Sequence, residues 1–197
     1  DTLWMYDQLK RSGIPFMGGS SIPHVPSEPA FDPALLEQAA EMLVVSYSDA
    51  IEAYGYHALE LLQSLAEKRS GGETGVKAIE VLQGDGVWEA MSRGEWPEEL
   101  MLRALSLYGE RKIGHPQPSG DPTTLFVIEY KDGFKGYVLQ QKELVDNWGF
   151  AFRGRDGTVT AAVNATDTWR PFKHFARLTA MIEEFIITGR PPFPAEC

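Results

Sequence analysis

Apolar residues return along this chain at two different spacings, and the change between them divides it into two parts. Up to about residue 108 the repeat is mainly helical, and from Thr123 onward it alternates. In the stretch 51–65, Ala58, Leu61, Leu62 and Leu65 fall at i, i+3, i+4 and i+7, which predicts a helix with one face in a core. Leu3, Tyr6 and Leu9 predict an earlier helix stopped by Gly13, followed by a short apolar strand over 14–17 and the loop Gly18-Gly19-Ser20-Ser21. That order is the closing half of a βαβ crossover. Pro23, Pro26, Pro29 and Pro33 predict an extended surface segment over 22–33. Asp32 then caps a short helix begun by Pro33. The apolar run in 41–47 predicts a strand, as does 76–82 with Val76, Ala78 and Ile79 inward. Gly84-Asp85-Gly86 is a turn signal before one or two helices over 87–91 and 97–108, and the prolines and glycines of 114–122 predict a loop.

Four short strands are predicted over 124–130, 136–141, 148–153 and 158–163, the first pair and the last pair joined at Asp132-Gly133 and Asp156-Gly157. A final helix over 172–188 carries Phe175, Leu178, Ile182 and Phe185 on one stripe, expected to be core, and ends at Gly189. The expected class is α+β, a mostly antiparallel open sheet with helices packed on one face. Trp148, Phe150 and Phe152 alternate on one strand face, expected either to pack under the last helix or to meet a partner subunit.

Composition narrows the function classes. The chain has 197 residues and a net charge of −10, with 43% hydrophobic and 23% charged residues, so it resembles a soluble globular protein and repels a phosphate backbone. Nucleic acid is excluded as a partner on that ground. No apolar run approaches the roughly 20 residues a membrane span needs, so no membrane partner is expected either. The single cysteine, Cys197, offers no disulfide and no cysteine metal site, which fits a cytoplasmic protein. The chain opens on Asp1 and not Met, which reads as the later part of a longer protein.

The best candidate for chemistry is His57 with Glu60, three apart and so neighbours at the start of the predicted helix. A histidine titrates near neutral pH, and an oriented carboxylate favours its charged form. Gly55, two residues earlier, lets the backbone approach a strand or a ligand closely. A rival reading gathers zinc or a similar ion from among His24, His57, Glu60, His115 and His174, although no tight histidine pair is present. Ser20 and Ser21 follow glycines but lack a nucleophile elbow.

The sequence Gly55-x-His57, Glu60 three residues later and the apolar helix behind them resemble the active-site helix of the Gfo/Idh/MocA oxidoreductase family. So do the sheet region, the ending Phe175-Ala176-Arg177-Leu178, Ile182-Glu183 and Thr188-Gly189-Arg190-Pro191-Pro192, and the opening helix with Ile14-Pro15-Phe16-Met17. The resemblance implies that residues 1–21 are the last helix-strand unit of a Rossmann-like dinucleotide domain, and 22–197 an α+β substrate and oligomerisation domain. It implies NAD(P)-dependent redox chemistry on a sugar- or polyol-like hydroxyl, with His57 as acid/base and Glu60 holding its tautomer or contacting substrate. Ser20, His24 and Tyr56 are expected to contact that substrate, and the open sheet face to form a homo-oligomer.

Two departures limit what carries over. No glycine-rich dinucleotide fingerprint and no Glu-Lys-Pro segment occur, so NAD or NADP is expected only in a complete parent protein and not on this chain alone. Ala53 stands four before the histidine, where the family often has an acid, with Glu52 one step away. The alternatives are a non-catalytic binding or assembly module of the same fold, and a metal-dependent hydrolase or lyase.

Overall fold

The centre of the molecule is a strand whose apolar side chains are buried on both sides. In a computed structural model describing residues 2–48, 50–108, 122–142, 144–166 and 170–193, β2 (Ala39–Ser46) lies inside a seven-stranded sheet. Its partners are β5 (Lys135–Gln141), parallel, and β6 (Gly149–Gly154), antiparallel. Beyond β5 come β4 (Thr123–Tyr130) and the edge strand β3 (Val76–Gln83); beyond β6 come β7 (Val159–Asn164) and the two-residue β1 (Ser27–Glu28). Every pairing except β2 with β5 is antiparallel, so the fold is α+β on a mostly antiparallel open sheet.

Successive β2 residues point to opposite faces. Met42 and Val44 meet Ala58, Leu61, Leu62 and Leu65 of α2 (Tyr56–Ala66), while Leu43 and Val45 meet the other core. That second core is built by Val87 and Trp88 of α3 (Asp85–Ser92) and by Leu100, Met101, Ala104 and Leu105 of α4 (Glu98–Leu105). Helices therefore cover both faces of the sheet, which corrects the expectation of one. The sequence signal was the unbroken apolar run in β2: a strand covered on both sides has no polar face to alternate with.

Other expectations change with it. The strands after residue 123 form two hairpins, turned at Gly133 (φ +86) and Gly157 (φ +85), but β2 inserts between them, so they are not a simple meander. Residues 14–17 follow α1 (Thr2–Ser12) as chain without strand pairing. The segment 22–33 is not all surface, for Ile22 and Val25 are buried and Ser27 pairs with Asn164. The predicted helix from Pro33 is a 3-10 turn, Pro33–Gln38, with Asp32 Oδ1 accepting from the Ala34 amide at 3.0 Å. Val76 and Ile79 point outward, 42% and 63% exposed, because no helix extends over the β3 edge on their side.

Trp148, Phe150 and Phe152 are buried under α2 and Phe31, not presented to a partner. The covering is done by α2 and the 3-10 turn. The last helix, α5 (Ala176–Thr188), buries no residue, so its apolar stripe is not core. Its C-terminus is as predicted: Gly189 takes φ +66 and donates its amide to the Phe185 carbonyl at 2.8 Å. The loop expected over 114–122 lies outside the described residues but for its last position, as do His115 and Cys197. No helix among the described residues is long and apolar enough to cross a membrane.

Candidate functional site

Between β2 and α2 the chain makes a π-helical turn, Ile51–Gly55, a feature frequent at functional sites. A Cβ on Gly55 would stand 3.0 Å from Gln140 Oε1 and 3.5 Å from the Ile51 side chain, so glycine eases the approach of this turn to the sheet. The close approach is thus to the sheet, not to a ligand. This turn sets Tyr54 against Tyr47 at the end of β2, with ring centroids 4.7 Å apart, and places His57 in the first turn of α2.

From the other side comes the loop before the 3-10 turn Ile22–His24. Gly19 holds φ +131, a conformation that suits glycine, and presents Ser20 to α2. Ser20 Oγ lies 2.7 Å from His57 Nδ1 and accepts the Ile22 amide at 3.1 Å, while the Ser20 amide donates to Glu60 Oε2 at 3.3 Å. His57 and Glu60 are therefore joined through Ser20, and no direct bond links them among the described residues. A hydroxyl both donates and accepts, so Ser20 supports either neutral tautomer of His57 and leaves Nε2 as a base or as an N–H acid. Burial lowers the His57 pKa below its ordinary 6.5, with the Glu60 charge opposing, so the ring is neutral at physiological pH.

His57 lines a half-open pocket of about 370 Å³ whose walls are Tyr47, Tyr54, Trp148, Phe172 and Phe175, with Ser21, Thr166 and His174 between them. The Trp148 ring lies 4.8 Å from Tyr47 and 5.9 Å from His57. Of the residues lining it, Trp148, Thr166 and His174 each carry one polar atom, Nε1, Oγ1 and Nδ1, that is buried and has no hydrogen-bond partner among the described residues. Leaving such groups unmet costs roughly 1–3 kcal/mol each. Burial, reinforced by the neighbouring Tyr54 hydroxyl, also raises the Tyr47 pKa, keeping its phenol a neutral donor.

The other expected substrate contacts are distributed differently. Ser20, His24 and Glu60 line a second, smaller pocket of about 180 Å³ on the far side of Ser20, where Phe193 stacks on His24 at 5.3 Å. Tyr56 faces away from both, 46% exposed in a shallow groove with Leu59, Val76 and Ile79. Its phenol is pushed up to about 12 by burial and then by Glu60. Sequence reasoning missed Tyr47, Tyr54 and Trp148 as pocket walls. Their signal was an aromatic residue at the end of one predicted strand, before the helix, and at the start of another. For the metal reading, no group of three or more histidine, cysteine or acidic side chains that would hold an ion occurs among the described residues.

A dinucleotide fits poorly at the junction of β3, Gly84 and α3, whose first turn carries Asp85 and whose next carries Glu89. Those carboxylates repel a pyrophosphate at a helix N-terminus. Comparison with protein-family models, with curated proteins and with solved structures finds no match to this chain.

Proposed function

We propose that the pocket beside His57 binds a sugar- or polyol-like molecule and that His57 exchanges a proton with one of its hydroxyls, as the substrate-holding part of an oxidoreductase. The observation carrying this reading is an aromatic wall beside a neutral histidine whose Nδ1 is anchored by Ser20. Aromatic faces suit the C–H faces of a sugar ring, and Tyr47 and His57, which also line the pocket, suit its hydroxyls. A protein that oxidises such a hydroxyl needs an acceptor for the proton as hydride leaves the carbon, and Nε2 is the free ring nitrogen. The hydride acceptor, a nicotinamide dinucleotide in the resembled family, has no cradle among these residues, so the reading assigns this chain the substrate side alone. A cytoplasmic location and self-association belong to the same reading, the latter through a surface other than Trp148, Phe150 and Phe152.

The poor dinucleotide fit also favours a second reading, a binding or assembly module that performs no chemistry. Calorimetry of the chain with neutral hexoses, inositol and xylitol tests the shared premise. Saturable binding that weakens about tenfold in His57→Ala is expected, the loss of one hydrogen bond to a polar ligand. Absence of binding to all of them overturns both the sugar site and its chemistry. The redox reading then requires that an upstream dinucleotide domain, supplied with this chain, oxidise the bound compound and that His57→Ala abolish turnover while Tyr56→Phe preserves it. Equal turnover with and without His57 leaves the module.

A further inference from the structure

Further along α2 from His57, a concavity of about 430 Å³ opens between the 3-10 turn Ile22–His24, residues 25–33 and the start of α5. Its floor is apolar, formed by Leu36, Leu61 and Leu65, which are 1%, 2% and 5% exposed. Its polar rim holds His24, Lys68 and Arg177, and no carboxylate lines it. In a chain with 28 acidic and 18 basic residues, that is an unusual local balance. Neither Lys68 nor Arg177 has an ion-pair partner among the described residues, whereas Arg69, Arg93 and Arg153 each pair with a carboxylate. The three groups also act on one another. Burial and then Arg177 lower the pKa of both His24 and Lys68, with Lys68 adding to the effect on His24 and Glu60 opposing it. Lys68 and Arg177 act on each other as like charges with no ion-pair partner among the described residues, which costs free energy that an anion between them returns.

We infer that this concavity binds a small organic anion, its phosphate or carboxylate group held by Lys68, Arg177 and His24 and its apolar body lying on Pro23 and Phe31, over the buried Leu36, Leu61 and Leu65. The two ends of the ligand follow from the two parts of the site: cationic side chains supply charge-assisted hydrogen bonds, and Pro23 and Phe31 supply apolar contact area. Asn164 shapes the far wall without competing for the anion, since its amide donates to the Ile22 carbonyl at 2.9 Å. The site is separate from the His57 pocket, and the inference does not rest on the sugar reading.

The test is a calorimetric or NMR titration of the chain at low salt with phenyl phosphate, benzoate, inorganic phosphate and benzyl alcohol. Phenyl phosphate or benzoate is expected to bind saturably and more tightly than inorganic phosphate or benzyl alcohol. Affinity is expected to fall about tenfold in the double variant Lys68→Met, Arg177→Met. Preference for the phosphate or for the carboxylate identifies the anionic group. Raised salt weakens the binding in the parent and much less in the variant. Both substituted positions are exposed, so an unchanged melting temperature confirms an intact fold. Equal affinity for benzyl alcohol, affinity unchanged in the double variant, or no saturable binding by any anion overturns the inference.

Discussion

Helices α2 and α5 carry almost the same sequence pattern and meet opposite fates. Each places apolar side chains along one stripe, Ala58, Leu61, Leu62 and Leu65 in the first and Leu178, Ile182, Phe185 and Ile186 in the second. The α2 residues are at most 5% exposed, and α5 buries none of its residues. The difference lies in what is beneath them. Helix α2 crosses the sheet over β2 and β5, where Gly136 removes a side chain so that Leu62 can seat; a Cβ there would lie 2.6 Å from Leu62 Cδ2. Helix α5 follows β7 by way of Phe172, which adopts φ +55, and touches the body through the residues at its start and through Phe193 after its end. Periodicity reports that a helix has an apolar side; only the rest of the fold reports whether anything covers it.

Substitutions separate the two helices, and the largest effect belongs to α2. Leu62→Ala removes a side chain 1% exposed and leaves a cavity against β5, so a loss of about 2–5 kcal/mol in denaturant unfolding is expected. Gly136→Ala attacks the same contact from the sheet side. Its added methyl would lie 2.6 Å from Leu62 Cδ2, so the leucine must shift, for an expected loss of about 1–3 kcal/mol. Combining the two sharpens the point, because the cavity left by Leu62→Ala accommodates the new methyl. The double variant should be more stable than the sum of the single losses predicts. Strict additivity would show that α2 does not seat on Gly136.

The sequence exposed most of the elements and little of their arrangement. Turns needing positive φ were legible at Gly133, Gly157 and Gly189, because local backbone geometry demands glycine there. The α2 stripe was legible because its period is set by the helix itself. The insertion of β2 between the two hairpins was not, since strand order depends on contacts distant in sequence. At the site, His57, Glu60 and Ser20 were candidates by residue type, and the structure joins them through Ser20. Tyr47, Tyr54 and Trp148 were missed because an aromatic at an element's end looks the same whether it fills a core or walls a pocket. Lys68 and Arg177 are 109 positions apart, so nothing local could associate them.

A smaller effect is expected from pH. Burial lowers the His57 pKa below 6.5 in the folded chain, so below that pH the unfolded chain binds more protons. Stability therefore rises with pH through the region just below and around 6.5, and the slope from this group fades above it. His24 is lowered too and acts in the same sense. Thermal melts across this window should show a shallower slope for His57→Gln than for the parent. Identical slopes would mean that His57 protonates as freely folded as unfolded, and would contradict its placement behind Ser20.

The smallest effect is reserved for α5. Ile186 is 76% exposed, so Ile186→Ala removes almost no buried area and replaces a β-branched residue by a better helix former. Unfolding free energy should change by no more than about 0.5 kcal/mol, against several for Leu62→Ala. The same pair of variants, measured across a range of protein concentration, asks whether α5 stays uncovered in solution. A loss at Ile186 comparable to that at Leu62, growing with protein concentration, would show the α5 stripe buried against another copy; a loss independent of concentration would show it folded onto its own sheet. A null result at every concentration leaves the contrast between the two helices as it stands, set by the surface beneath each stripe and not by the stripe itself.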